Sequence, residues 1–350
     1  MPSSWPSNCT TDIEPYWASF ISTVPNNAVV TFPAGGCYGQ IATLIVPYRV
    51  NITINGNGST FDNVSGWPTN NSIWAAIGGS NINFENMTLN GSDPTCAYNA
   101  SYEWQYGIDY QATQGGTVNN VTINDVGGDF VEAEYDGNLG VYTSPPSENI
   151  LVENSNFDCA GRMGVGLTDV NGFTMENTNI SNVAWDAVDV EPDSPVEFGS
   201  NINITDDTFT NIDFGLLSNG GQGWQPNIGN ITFSGNTETN EAAACVTPIS
   251  VGQDGATYRS TYTFTNNQFY APGDGIDLAG ADNVTISGNT IVFNSLGCGG
   301  SAYGVRMSDS HVVAITNNTF THFGGPGGGG ADSVDDLSTN VATSGNTVTN

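Results

Sequence analysis

Residues 282–291 read DNVTISGNTI, and the phrase returns as VNITINGNGSTF (50–61), SNINFENMTL (80–89), ENILVENSNF (148–157) and NGFTMENTNI (171–180). Further copies are SNINITDDTF (200–209), STYTFTNNQF (260–269) and SHVVAITNNTF (310–320). Each copy alternates apolar and polar residues with period two, the mark of a short strand with one face turned inward. So short a strand cannot bury its apolar face alone. Stacked at about 4.8 Å per rung, such strands share one continuous core.

A second strand phrase follows in the repeats: YGID at 106–109, DFVEA at 129–133, MGVGL at 163–167, DAVDV at 186–190, FGLL at 214–217, DGIDL at 274–278 and YGVRM at 303–307. Two strands per repeat leave no room for hairpins, so the chain is expected to be all-β, a right-handed parallel β-helix of about 9–10 coils. Asn57, Asn236, Asn267, Asn289, Asn318 and Asn346 fall at one repeat position, with Ser155, Thr178 and Asp207 there in other copies. Stacked carboxamides at that position would bond from rung to rung. Apolar residues spaced over 12–24 predict a short helix capping the first rung. The expected division is 1–49 as cap and first strand and 50–350 as the β-helix. The phrase NVATSGNTVTN (340–350) stops inside a rung, which predicts either a further segment or an exposed parallel edge.

Composition narrows function before any motif does. Among 350 residues only 11 % are charged, 44 are Gly, and 35 acids face four arginines (Arg49, Arg162, Arg259, Arg306) with no lysine, for a net charge of -31. Such a surface repels nucleic acid and anionic membranes. No apolar run is long enough to cross a bilayer. The first residues carry neither a basic nor an apolar leader, so a signal peptide is expected to be absent or already removed, and a secreted or cell-surface location suits the lysine-free acidic surface. Cys9, Cys37, Cys96, Cys159, Cys245 and Cys298 form no CxxC pair; Cys9 with Cys37 is one disulfide option beside buried free thiols. Fourteen Asn-x-Ser/Thr sequons, Asn51, Asn120 and Asn203 among them, are what an Asn- and Thr-rich chain produces by chance.

The stretch VVTFPAGGCYGQ (29–40) followed by TLIVPYRVNITINGNGSTF (43–61), with the NVTISGNTI phrases, resembles the pectin-lyase-like superfamily of parallel β-helix proteins over roughly residues 25–350. That resemblance implies the fold and a choice among uronate lyases, polygalacturonase-like hydrolases, mannuronan epimerases, tailspikes and adhesins. Subfamily motifs are missing. Neither His311 nor His322 stands in a Gly-His-Gly, and no Asp-Asp pair lies on the second strands, so the hydrolase motif does not carry over.

Aligning the second strand phrases puts Asp109, Glu132, Gly166, Asp189, Leu217, Thr247, Asp277 and Arg306 in one column, expected to face solvent because the flanking Ile or Val points inward. Acids crowd its early rungs: Asp129, Glu132 and Glu134 on one, Asp186, Asp189 and Glu191 two rungs later, with Arg162 between. Glu132, Asp189, Asp109, Asp186 and Arg162 are the candidate catalytic residues. Two rungs put Glu132 and Asp189 about 9.6 Å apart, near the upper limit for an inverting glycosidase, whereas neighbours Asp109 and Glu132 approach the roughly 5 Å of a retaining pair. Crowding raises one carboxyl pKa, as a general acid needs. Trp104, Tyr106, Trp185 and Trp224, with Glu134 and Glu191, are candidate substrate contacts; ordinary packing is the competing account of the aromatics.

The reading that follows is an extracellular glycoside hydrolase acting on a polysaccharide without a cofactor. A Ca2+-dependent uronate lyase or epimerase, with Asp129, Glu132 and Asp189 on the metal, is the first alternative. A non-catalytic glycan-binding, adhesin or structural surface protein with a merely solvated acidic face is the second. No nucleic acid and no membrane insertion are expected; monomer and homo-oligomer both stay open.

Overall fold

Every strand phrase pairs in parallel with its copies one rung away: Ile150 stands against Phe173, Phe173 against Ile202, and Ile202 against Ile231. The structure, a computed structural model, describes residues 5–64, 71–219, 227–239, 246–252, 261–294, 302–323, 332–334 and 338–349. Its strands form two parallel sheets, one of 21 strands and one of 11, wound as a right-handed β-helix. Each rung gives two legs to the long sheet and one strand to the short sheet. In the early rungs both legs belong to one long bent strand, as in Val50–Asn63, Ser80–Asn90 and Gln114–Val126. Later rungs split the legs, as in Ser147–Glu153 and Asn156–Ala160.

The abundance of asparagine has a backbone cause. Asn51, Asn81, Asn149, Asn201, Asn230 and Asn283, at the start of the first leg, all adopt the left-handed conformation, with φ between 53° and 57°. Asparagine tolerates this region better than other residues with a Cβ. Their carboxamides bond along the axis, Asn81 Nδ2 donating to Asn51 Oδ1 at 2.8 Å.

At the bend between the legs a second column is buried. The backbone N–H of Asp207 donates to Asn236 Oδ1, that of Asn236 to Asn267, that of Asn267 to Asn289, and that of Asn289 to Asn318, each at 2.9 Å. Ser155 and Thr178 continue the ladder toward the N-terminus. Asn57 is not in it. Ser59 is the residue in register with Met87, because the long strand is irregular between Asn55 and Ser59. Asn57 sits at the surface with φ 51° and donates instead to the Phe32 carbonyl.

Inward residues of all three faces make the core, which the N-terminal segment closes. Helix Glu14–Ile21 buries Trp17 and Ile21; the Trp17 indole donates to the Ile45 carbonyl at 2.8 Å and meets the Trp74 ring edge-on at 4.9 Å. Strands Ala28–Thr31 and Cys37–Gln40 pair with Val50–Asn63, so rung pairing already starts at Ala28. Disulfides join Cys9 to Cys37 and Cys96 to Cys159; Cys245 and Cys298 lie outside the described residues. Among the described residues no helix is long and apolar enough to cross a membrane.

Candidate active site

The outward column of the short sheet runs Ala75, Asp109, Glu132, Gly166, Asp189, Ser218, Ser250, Asp277, Arg306. Ser218 and Ser250 replace the expected Leu217 and Thr247. Leu216 and Leu217 are both buried, and two adjacent core leucines hide from the sequence which of them is the strand's inward residue.

The column is not solvated where the acids gather. Asp109, Asp129, Glu132 and Asp189 are only 3 %, 0 %, 1 % and 5 % exposed. The cover is a long excursion between Asn90 and Tyr106 that folds across the corners at Gly127, Gly128 and Gly161, where a Cβ would strike Tyr102, Glu103 and the Gly127 carbonyl. Cys96–Cys159 staples this cover to the wall, and Cys159 Sγ contacts the Asp93 carbonyl at 3.2 Å.

Arg162 lies under the cover and converges on the acids. Its guanidinium reaches Asp129 at 2.9 Å, Glu191 at 3.0 Å and, from the cover, Glu103 at 3.7 Å. Asp129 also accepts the Met163 N–H at 2.8 Å. Glu132 accepts the Thr168 hydroxyl on Oε1, while Oε2 is buried and lacks any ordinary donor. Oε2 lies against Asp129. Burial, reinforced by Asp129 and Glu134, holds the Glu132 carboxyl well above the usual range, and burial raises Asp129 too, against the pull of Arg162. The Glu132 side chain leans along the axis: a Cβ on Gly166 would come within 2.0 Å of Oε2.

One rung beyond Gly166 the site is less sealed. Ser218 donates its hydroxyl to Asp189 Oδ1 at 2.5 Å, and Asp186, on the same rung as Asp189, lies near enough to feel the same side chain. Burial raises Asp186 to about 7 and Asp189 to about 6; Asp189 is additionally bonded to Glu191, which burial and Asp189 raise to about 7.

Beside Asp186, Trp185 stacks on Tyr98 of the cover at 4.6 Å and faces Phe214 at 6.2 Å, and both neighbours are exposed. Trp104 is exposed as expected, but Tyr106 is buried, its hydroxyl among Glu132 and Asp129, and offers no sugar platform. Trp224 lies outside the described residues. Ser218 and Tyr98 are site residues that the sequence reading missed.

Toward the N-terminus, Asp109 lines an open hollow of about 310 Å3 between the first rungs and the loop at Gly137 and Asn138. Gln111 links Asp109 Oδ2, at 2.7 Å, to Glu134 Oε1, at 3.1 Å, and Ser72 also reaches Oδ2. Burial raises Asp109 to about 7 and Glu134 to about 9. Asp274 is taken up by Arg306, at 3.4 Å, and by the Tyr303 N–H, at 2.7 Å, away from the acid cluster.

Among the described residues, Asp129, Glu132 and Asp189 do not gather their oxygens closely enough to share one cation, and Arg162 fills the space beside Asp129. The group that does gather is Cys9, Cys37 and Asp62, whose two sulfurs are bound to each other and so are not thiolate ligands.

The family described as "Right handed beta helix region" matches residues 215–350. No curated protein sequence matches significantly. Solved structures do. The mannuronan C-5 epimerase AlgE6 A-module of Azotobacter vinelandii is 14 % identical with a TM-score of 0.62, over 99 % of this chain and 98 % of that one. The surface protein and adhesin PfbA of Streptococcus pneumoniae is 11 % identical, TM-score 0.67, over 99 % and 96 %. DFA-IIIase of Arthrobacter chlorophenolicus A6 is 10 % identical, TM-score 0.64, over 99 % and 97 %. At these identities the likeness is one of fold, and the fold is shared by enzymes of different chemistry and by an adhesin.

Proposed function

We propose that this protein is an extracellular glycoside hydrolase acting on a polysaccharide, with Asp186 as general acid and Asp189 as the carboxylate that attacks or activates water. The supporting observation is the pair Asp186 and Asp189 on one rung, Asp189 held by Ser218, which sets two carboxyls of raised pKa beside the half-buried ring of Trp185 and the exposed rings of Phe214 and Tyr98. With Asp189 as the nucleophile, cleavage in this scheme retains the anomeric configuration. Protonated Asp186 gives its proton to the glycosidic oxygen and Asp189 meets the anomeric carbon; Asp186 then deprotonates the water that releases the product. The scheme calls for no metal, since the chain supplies both the proton and the carboxylate.

Glu132 leaves the catalytic set in this reading. Sealed beneath the cover, it acts as a positioning residue through Asp129 and Arg162. Two disulfides and the acidic, lysine-free surface support an oxidising, extracellular setting. Likeness to a C-5 epimerase, an adhesin and a DFA-IIIase supports a sugar ligand without choosing the reaction.

The test is product analysis over a polysaccharide panel, with and without Ca2+, for wild type, Asp186→Asn and Asp189→Asn. New reducing ends without unsaturated product, lost in both variants, are expected. Ca2+-dependent unsaturated product would replace hydrolysis with a lyase. Silence across the panel would favour a binding protein.

A further inference from the structure

We infer that the hollow at Asp109 is a subsite for a glycan bearing free, protonated amino groups, so that the substrate is a cationic amino-sugar polymer rather than a uronate. The inference rests on the hydrolase reading for its substrate but on separate residues for its chemistry. Asp109 is 3 % exposed, lines the hollow, and has one carboxylate oxygen, Oδ1, that no donor reaches. A buried acceptor left unpaired is costly, more so when charged, and an incoming donor recovers that cost. The other oxygen is already held by Gln111 and Ser72, so the carboxylate is fixed and its free valence is directed.

What that oxygen wants is decided by charge. Gln111 ties Asp109 to a second carboxyl, Glu134, and no basic side chain lines the hollow. Arg162, in the acid cluster, is engaged by Asp129, Glu191 and Glu103. An anionic sugar would therefore find no basic side chain among the described residues that line the hollow. An ammonium would meet a pre-oriented acceptor. The rest of the lining suits a sugar ring: Ile45, Ala75 and Ile77 offer an apolar bed, and Thr43 and Asn138 offer groups for hydroxyls. Asp109 is three rungs from Asp189 in the same outward column, about 14 Å. A net charge of -31 adds long-range attraction for a polycation and repels a polyuronate.

The experiment is calorimetric titration with a glucosamine hexamer, its fully N-acetylated counterpart and spermine, on wild type, Asp109→Asn and Asp274→Asn, the last a removal of one acid away from the hollow and the acid cluster. The free-amine hexamer is expected to bind at least tenfold more tightly than the acetylated one, to lose at least tenfold with Asp109→Asn, and to keep its affinity with Asp274→Asn. Asp109→Asn retains an acceptor for Gln111 and removes a desolvated charge, so it is expected to fold. Equal binding of both hexamers, no binding of either, or spermine-like binding indifferent to Asp109→Asn would each overturn the inference, the last reducing it to diffuse attraction by the acidic surface. If the free-amine hexamer binds through Asp109 and nothing is cleaved, the subsite stands and the hydrolase reading falls. If a neutral glycan is cleaved with no preference for amines, the reverse holds.

Discussion

The carboxyl of Glu132 occupies the space that a side chain on Gly166, its rung neighbour, would fill. Gly166→Ala would drive a Cβ to 2.0 Å from Glu132 Oε2 and 2.8 Å from Asp129 Oδ2, and both groups are locked by Thr168, Met163 and Arg162. Overpacking of this kind costs about 1–3 kcal/mol. Urea unfolding should show that loss; an unchanged midpoint would mean that the carboxyls can swing aside.

Asp207 stands among asparagines in the buried ladder. It accepts the Thr178 N–H, but its Oδ2 is buried without a partner, whereas Asn236, the next residue of the column, uses its amide N–H to reach the Ile204 carbonyl. Burial lifts Asp207 to about 8. The folded form therefore keeps a proton that the unfolded chain releases above about pH 4, and stability falls as pH rises from about 4 to 8 before levelling off. Asp207→Asn makes the missing donor permanent. The variant should melt higher than wild type by an amount that grows across that window, reaching the order of 1–3 kcal/mol at pH 8. A gain independent of pH would show that Asp207 is ionised in place.

Catalysis should be confined to a narrow band. Asp189 must be ionised, with a pKa near 6, and Asp186 protonated, with a pKa near 7. Because the charge of Asp186 acts on Asp189, these are apparent values of the pair. The rate should be greatest between about pH 6 and 7 and fall on both sides; Asp189→Asn and Asp186→Asn should each lower turnover about 100-fold or more. A flat profile from pH 4 to 9 would discard the assignment.

Replacing Cys96 and Cys159 together by Ser should cost about 2–4 kcal/mol and loosen the cover over Arg162. Hydrogen exchange at Asp93, Thr95 and Tyr98 should then rise while exchange in the long sheet stays slow. Uniformly fast exchange would assign the staple to the whole fold instead.

The fold was legible because its signal is repeated. Period-two phrases such as NVTISGNTI repeat their inward residues copy after copy, and a mistake at one copy is outvoted by the others. The column of Asp109, Glu132, Gly166 and Asp189 followed from the same repetition. Its failures came where repetition ends. Leu216 and Leu217 mask the register that brings Ser218 beside Asp189, and the cover between Asn90 and Tyr106 has no rung pattern from which to foresee that it buries Asp129 and Glu132. Which way a carboxyl leans is set by what is absent next to it, and Gly166 alone does not announce that Glu132 takes its place.

The buried ladder has a sense of direction. Each asparagine of the run reaches back to the coil before it twice, accepting that coil's backbone N–H and donating to one of its carbonyls. A coil that peels away from the C-terminal side therefore carries off both partners at once and leaves an N–H and a carbonyl unmet in the core of the coil it leaves, so that each coil acts as the lock on the one before it.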